Sequence, residues 1–202
     1  MVRSSGPVLR RDGVDPRQVE AVSMKSAHAD LRRTGGFSCS NPFLNHVHDA
    51  TLRTHLNYTL EIPMDPTREK AGWMQDVQTM IDSTVYFTSQ SQLPDGSVGS
   101  VAPMIWGGQE NCCIDPWWSG MIVYLPYKHY LYYGDREILE TAYAPMAKYL
   151  EWLAGRADPK DGLLHWSGAS DWIEVGIDGW GPPKRTPTVL VSTCALYYFT
   201  DM

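Results

Sequence analysis

The sequence predicts an all-α fold, a helical toroid or bundle. Apolar residues recur at helical spacing in several segments, and almost no strand pattern occurs after residue 40. Tight turns alternate with long loops that are rich in aromatic residues, as expected when loops gather at one end of a helical domain. Eight Trp and eleven Tyr stand against four Phe, so many of the rings carry a polar group and can either fill a core or stack on a sugar.

The first helix is predicted at the point where a polar leader ends. Residues 1–36 are polar and punctuated by Gly and Pro, which is typical of a linker or of the tail of a preceding β domain. Ser40 or Asn41 can cap a helix, and Pro42 suits its first turn. Apolar residues at helical spacing then extend this helix to about Tyr58.

Two further helices follow, separated by a turn and a long connection. Residues 71–88 place Trp73 on a broad apolar stripe, so a second helix is expected there. The run Pro94–Gly96 predicts a turn. A third helix is predicted over residues 118–133, and Pro126 is expected to kink it or to split it.

The fourth helix has the clearest signals. Asp135 can cap it, its apolar residues form one face, and Gly155 can end it, while Pro145 predicts a bend. Residues 158–186 form a second long loop with several Trp residues. A last helix is predicted to begin near Pro187.

Charge and cysteine content exclude several classes of function. A net charge of −6 argues against a nucleic-acid partner, and no apolar run is long enough for a membrane span. The N-terminus lacks an apolar signal core, so a cytoplasmic location is the default expectation. The spacing of the cysteines and histidines fits no metal motif, so we expect free thiols, no metal and no cofactor; the cysteines are Cys39, Cys112, Cys113 and Cys194.

Five residues that suit sugar chemistry lie within a twelve-residue segment: Asp65, Arg68, Glu69, Trp73 and Asp76. Carboxylates beside a helix start are commonly caps or partners of the helix dipole, and these could be only that. The shared segment also supplies an aromatic ring and an arginine. Carboxylates for hydroxyl groups and acid catalysis, a ring for stacking and an orienting cation are what a pyranose site requires.

The sequence resembles the α-L-rhamnosidases of bacteria and fungi. The run over residues 66–76, Pro-Thr-Arg-Glu-Lys-Ala-Gly-Trp-Met-Gln-Asp, is similar to their Asp-Cys-Pro-x-Arg-(x)-Glu-x-x-Gly-Trp-x-x-Asp signature. Residues 35–45 resemble the start of the family's catalytic domain, and residues 133–146 resemble its fourth helix. Ser-Asp-Trp at residues 170–172 resembles the family's Gly-Asp-Trp. The resemblance covers about residues 20–202.

This resemblance implies an (α/α)6 toroid of the six-hairpin type, incomplete in this chain, with residues 37–202 as the N-terminal part of the catalytic domain. It implies inverting hydrolysis of terminal α-L-rhamnose from an oligosaccharide or glycoside. Glu69 falls on the general acid. Sugar-binding positions fall on Asp65, Arg68, Trp73, Asp76, Trp118, Asp171 and Trp172.

The chain departs from the family pattern in three respects. Met64 stands where the family has an Asp, with Asp65 at the following Cys position. Too few residues separate Phe87 from Pro94 to hold the helix that the family places there. The family's catalytic base lies in later helices, and although Glu174 is a nearby loop carboxylate, no residue here corresponds to that base.

Two other functions therefore stay open. One is a non-catalytic carbohydrate-binding or interaction fragment. The other is a six-hairpin enzyme with a different sugar specificity or a lyase-type reaction. For the fragment we also expect open apolar faces, because four side chains of the fourth helix need partners on both sides of it: Leu139, Met146, Tyr149 and Leu153.

Overall fold

A computed structural model describes residues 23, 28–31, 33, 35–59, 72–74, 88–102, 114–170, 172, 174 and 181–202. Within these ranges the fold is helical, and pairing between extended segments is limited to isolated bridges. None of the helices in this part of the chain is long and apolar enough to cross a membrane. The named helices are α1 (Pro42–Tyr58), α2 (Pro116–Ser119), α3 (Met121–Tyr133), α4 (Arg136–Ala154) and α5 (Thr188–Asp201).

Helix α1 begins and ends where the sequence predicts. The Asn41 side chain accepts a hydrogen bond from the backbone N–H of Phe43 at 2.9 Å, and proline occupies the first turn. Beyond the last turn, the Thr59 carbonyl accepts a hydrogen bond from the N–H of Ala29 at 2.8 Å. No residue of α1 is buried, and Phe43 is 69% exposed. Caps rather than burial therefore define the ends of this helix.

The predicted start of the second helix is wrong. Residues 72–74 are not helical, and Trp73 forms an antiparallel bridge with Val101. The N–H of Met74 donates to the Ser100 carbonyl, and the N–H of Ala102 donates to the Gly72 carbonyl, both at 2.9 Å. This long-range pairing uses backbone groups that a helix would need for itself. Residues 88–90 are helical, and residues 75–87 lie outside the described ranges.

The third predicted helix is divided, but at Gly120 rather than at Pro126. Helix α2 ends at Ser119 with Gly120 as its cap, and α3 then runs without interruption through Pro126, which is buried. Gly120 is required by packing, because a Cβ atom there would overlap the ring of Phe199 in α5. The close approach of two helices therefore decides the break, whereas the proline is accommodated inside α3.

The turn from α3 to α4 lies where the sequence predicts, with α3 ending at Tyr133 and Asp135 capping α4. Gly134 ends α3 in the left-handed conformation, with φ of 68°, and its N–H donates to the Tyr130 carbonyl. Asp135 then caps α4 by accepting a hydrogen bond from the N–H of Glu137 at 2.9 Å. Gly155 follows the last residue of α4. The position of this helix is thus confirmed at both ends.

The core lies where α3, α4 and α5 pack together with α2. Tyr149 and Leu153 on α4 are fully buried, so the expectation that this face stays open is wrong for these side chains. Leu139 and Met146 are only half-buried, and both line a second cavity between α3, α4 and α5. The Tyr149 hydroxyl donates to the Pro116 carbonyl at 2.9 Å, and burial raises the pKa of this tyrosine well above its usual value. The hydroxyl therefore stays neutral and joins α4 to the start of α2.

The turn at residues 94–96 is confirmed and is attached to α4. Asp95 accepts hydrogen bonds from the backbone N–H and hydroxyl of Ser97, and from the indole N–H of Trp152 at 2.9 Å. The Ser97 hydroxyl is the main cause of a lowered pKa at Asp95. Gly96 has a φ of 102°, and a Cβ atom there would lie 2.7 Å from the Lys148 carbonyl oxygen. A glycine is thus needed at the point where the turn meets α4.

Candidate functional site

A cavity of about 490 Å³ opens between α2, the loop around Trp172 and the first turns of α5. Its volume is within the range of small-molecule sites. Three tryptophans and several apolar side chains form most of its wall, with only a few polar groups among them. The lining residues are Trp117, Trp118, Ser170, Trp172, Thr186, Leu190, Val191 and Cys194.

Three of the predicted sugar-binding residues lie at or beside this cavity. Trp118 and Trp172 line it, and Trp172 is 40% exposed. The Trp73 ring packs edge-on against Trp118, with ring centroids 5.3 Å apart and an interplanar angle of 81°. The bridge between Trp73 and Val101 fixes the backbone that carries this ring. Residues 72–74 are therefore anchored next to the cavity wall.

Asp115 holds the backbone of three residues that line the cavity. This buried carboxylate accepts hydrogen bonds from the N–H groups of Trp117 and Trp118, at 2.9 and 3.1 Å. Its other oxygen accepts a hydrogen bond from the N–H of Ser170 at 2.8 Å. A Cβ atom at Gly168 would overlap this second oxygen, so glycine allows the loop to approach. One carboxylate thus joins α2 to the loop that carries Trp172.

Ser170 is held in an unusual conformation. Its φ is 49°, in the left-handed region that non-glycine residues seldom occupy. Asp115 holds its N–H, and its carbonyl accepts a hydrogen bond from the Trp118 indole N–H at 3.2 Å. The hydroxyl of Ser170 is buried, and no other described residue bonds to it. Strained backbone persists where surrounding contacts fix it, which is common at functional sites.

Glu174 lies two residues beyond Trp172, and hydrogen bonds saturate its carboxylate. It accepts from the backbone N–H groups of Lys184, Arg185 and Thr186, at 3.0, 2.8 and 3.1 Å, and from the Thr186 hydroxyl at 2.9 Å. These bonds, led by that from Arg185, lower the pKa of Glu174. A catalytic base needs a free oxygen to accept a proton from water, so the geometry assigns Glu174 a structural task.

The remaining predicted site residues lie outside the described ranges: Asp65, Arg68, Glu69, Asp76 and Asp171. Asp115 and the anchoring role of Glu174 were missed from the sequence. Asp115 had a usable signal, because an aspartate directly before a proline is typical of a helix cap followed by its first turn. The hydrogen bond between Asp115 and Ser170 had no sequence signal, because that contact joins residues 55 positions apart.

One group of side chains in the described residues has the spacing of metal ligands. Atoms of Asp158, Asp161 and His165 lie within 4.8 Å of one another at the end of α4, and the His165 ring nitrogen lies 2.8 Å from Asp161. Exposed polar loops often adopt such spacing, so this geometry does not assign a metal. Cys39 and Cys194 are free thiols, as expected, while Cys112 and Cys113 lie outside the described ranges.

Comparison with known proteins decides the family. The family model described as the bacterial alpha-L-rhamnosidase six-hairpin glycosidase domain matches residues 32–202. The chain belongs to this glycoside hydrolase family. A curated alpha-L-rhamnosidase of Formosa agariphila is 27% identical over 193 residues, covering 84% of this chain and 19% of that protein. The chain therefore spans about a fifth of the length of this rhamnosidase.

Solved rhamnosidase structures share the fold. The alpha-L-rhamnosidase of Dictyoglumus thermophilum is 29% identical, with a TM-score of 0.69, and the match covers 85% of this chain and 20% of that one. The Streptomyces avermitilis alpha-L-rhamnosidase, solved in complex with L-rhamnose, is 24% identical with a TM-score of 0.68, over 86% of this chain and 17% of that one. The expected six-hairpin fold is thus confirmed, and this chain corresponds to part of it.

Proposed function

We propose that this chain is the part of an inverting α-L-rhamnosidase that binds terminal α-L-rhamnose and supplies the general acid. The observation that carries this proposal is the contact between Trp73 and Trp118, because it joins the carboxylate motif to the aromatic cavity. Indole rings at Trp118 and Trp172 suit the apolar face of a pyranose and its methyl group. Relatives named as alpha-L-rhamnosidases support the choice of sugar.

Glu69 is our choice for the general acid. It lies four positions before Trp73, and consecutive Cα atoms are 3.8 Å apart, so the two Cα atoms are separated by at most about 15 Å. Arg68 and Asp76 fall on family positions that contact sugar, and Asp65 and Asp171 are proposed for the same task. We place the domain over residues 37–202, with residues 1–36 as a linker or the tail of a preceding domain.

Inversion also needs a base, with the two carboxyl groups roughly 6.5–9.5 Å apart. Two described carboxylates lie beside the cavity, Asp115 and Glu174, and backbone N–H groups already occupy the oxygens of both. This observation favours a second candidate function, in which the chain binds terminal rhamnose but hydrolyses rhamnosides very slowly. We therefore expect hydrolysis by this chain near the uncatalysed background.

Azide tests the proposed mechanism, because it can attack the anomeric carbon where the base would otherwise activate water. With phenyl α-L-rhamnopyranoside, whose leaving group needs protonation, azide is expected to yield β-L-rhamnosyl azide. Glu69→Gln is expected to slow this reaction about 100-fold, since a positioned acid contributes at least that much. Product formation and anomeric configuration are measured by NMR, with Glu140→Gln on the exposed side of α4 as control.

An α-configured azide would contradict inversion, and equal rates for the two variants would contradict the role of Glu69. Rhamnose binding without azide product would favour the second candidate. If the chain hydrolyses the rhamnoside in the absence of azide, and Glu69→Gln abolishes this activity, a catalytic base must lie within this chain. Asp171 would then be the first residue to replace, because the oxygens of Glu174 are engaged.

A further inference from the structure

The loop that carries Trp172 is attached to the fold on both sides of the ring. Two residues before Trp172, the Ser170 N–H donates to the buried carboxylate of Asp115. Two residues after it, Glu174 accepts four hydrogen bonds from Lys184, Arg185 and Thr186. The loop is thus tied to α2 at one end and to the segment leading into α5 at the other.

The two attachments involve two different walls of the same cavity. Asp115 holds the amides of Trp117 and Trp118, which form the α2 wall. Glu174 holds Thr186, which lines the cavity just before α5 begins. The Trp172 ring also lines the cavity and is 40% exposed, so contacts with neighbouring side chains cover only part of it.

We propose that Glu174 is a positioning residue, whose carboxylate ties the Trp172 loop to residues 184–186 and so holds the Trp172 ring at the cavity. Loss of this carboxylate would be hard to compensate, because it alone accepts hydrogen bonds from three consecutive backbone N–H groups and a hydroxyl. Glutamine keeps one acceptor oxygen but presents an amide N–H₂ to the remaining donors. The effect of Glu174 on sugar affinity rests on the function proposed above, whereas its effect on Trp172 does not.

The orientation of Trp172 can be followed without a ligand. The chain is labelled with 5-fluorotryptophan, and the fluorine resonance of Trp172 is assigned by its disappearance in Trp172→Phe. We expect a dispersed signal in the wild type and, in Glu174→Gln, a signal shifted toward that of the unfolded chain. Glu140→Gln removes an exposed carboxylate on α4 and is expected to leave the signal in place. An unchanged Trp172 signal in Glu174→Gln would overturn the proposal.

Thr186→Val provides a second variant in case Glu174→Gln does not fold. It removes only the hydroxyl donor and leaves the three backbone donors, so a smaller shift of the same Trp172 signal is expected. No shift in a folded Thr186→Val protein would also count against the tie.

A double-mutant cycle then connects Trp172 to sugar binding, with L-rhamnose as the probe. In the wild-type background, Glu174→Gln is expected to raise the dissociation constant for L-rhamnose about fivefold. In a Trp172→Leu background the same change is expected to raise it less than twofold. Equal losses in both backgrounds would show that Glu174 does not act through Trp172, and would overturn the proposal. If the wild type binds no L-rhamnose while the fluorine signal still responds to Glu174→Gln, the proposed function fails and the positioning role stands.

Discussion

Gly120→Ala is expected to lower the free energy of unfolding by about 3 kcal/mol, as inserted atoms do in a well-packed core. The added methyl group would overlap the ring of Phe199, which is 1% exposed and packs against Trp117. Because α2 ends and α3 begins at Gly120, relief requires α5 to move away from both helices. Chemical denaturation monitored by circular dichroism measures the loss.

Gly155→Ala is a matched control. Gly155 has φ and ψ of −64° and −7°, against −61° and −7° at Gly120, so the two positions differ in packing and hardly at all in backbone conformation. Its added Cβ atom would lie 3.3 Å from the nearest atom, and we expect a change within about 0.5 kcal/mol. Phe199→Leu should reduce the cost of Gly120→Ala. Equal effects at the two glycines would show that the Phe199 contact is not the cause.

Asp115→Asn is expected to cost about 2 kcal/mol of stability, because an amide nitrogen would replace one acceptor and leave a buried N–H group unpaired. The Ser170 conformation depends on that bond, so the Trp172 loop should lose its attachment to α2. We therefore also expect weaker binding of L-rhamnose. Denaturation measures the first effect, and titration calorimetry measures the second.

Asp135→Asn makes the same chemical change at another helix cap. Asp135 accepts from the Glu137 N–H at the start of α4 and is exposed, and asparagine caps a helix about as well as aspartate does. We expect a change within about 0.5 kcal/mol and unaltered sugar binding. A comparable loss at both positions would mean that Asp115 acts only as a cap.

The features that the sequence predicted correctly depend on near neighbours. Asn41 and Asp135 cap helices through bonds to residues two positions ahead, and Gly155 follows its helix directly. Such signals need no knowledge of the tertiary fold. The prediction that Trp118 and Trp172 share a site came from the family resemblance. No sequence pattern connects these two positions.

The features that the sequence did not predict depend on distant contacts. Residues 72–74 were predicted to lie in the first turn of a helix, but pairing with residues 100–102 keeps them out of one. Pro126 was expected to kink or split the third helix, whereas the helix is divided at Gly120, where Phe199 approaches. Local propensity is a weak guide wherever tertiary contacts oppose it. The structural role of Glu174 could not be predicted from the sequence either, because its four hydrogen bonds are to residues ten to twelve positions away.

Binding of L-rhamnose to this chain and to Trp172→Leu tests the central claim most directly. Titration calorimetry is expected to show one site in the wild type and affinity about tenfold weaker in Trp172→Leu, which corresponds to about 1.4 kcal/mol. Tyr143→Leu, which removes a 70% exposed ring lining a separate cavity between α3, α4 and α5, is expected to bind as the wild type does. No binding by the wild type, or a loss with Tyr143→Leu and not with Trp172→Leu, would contradict a rhamnose site at Trp118 and Trp172.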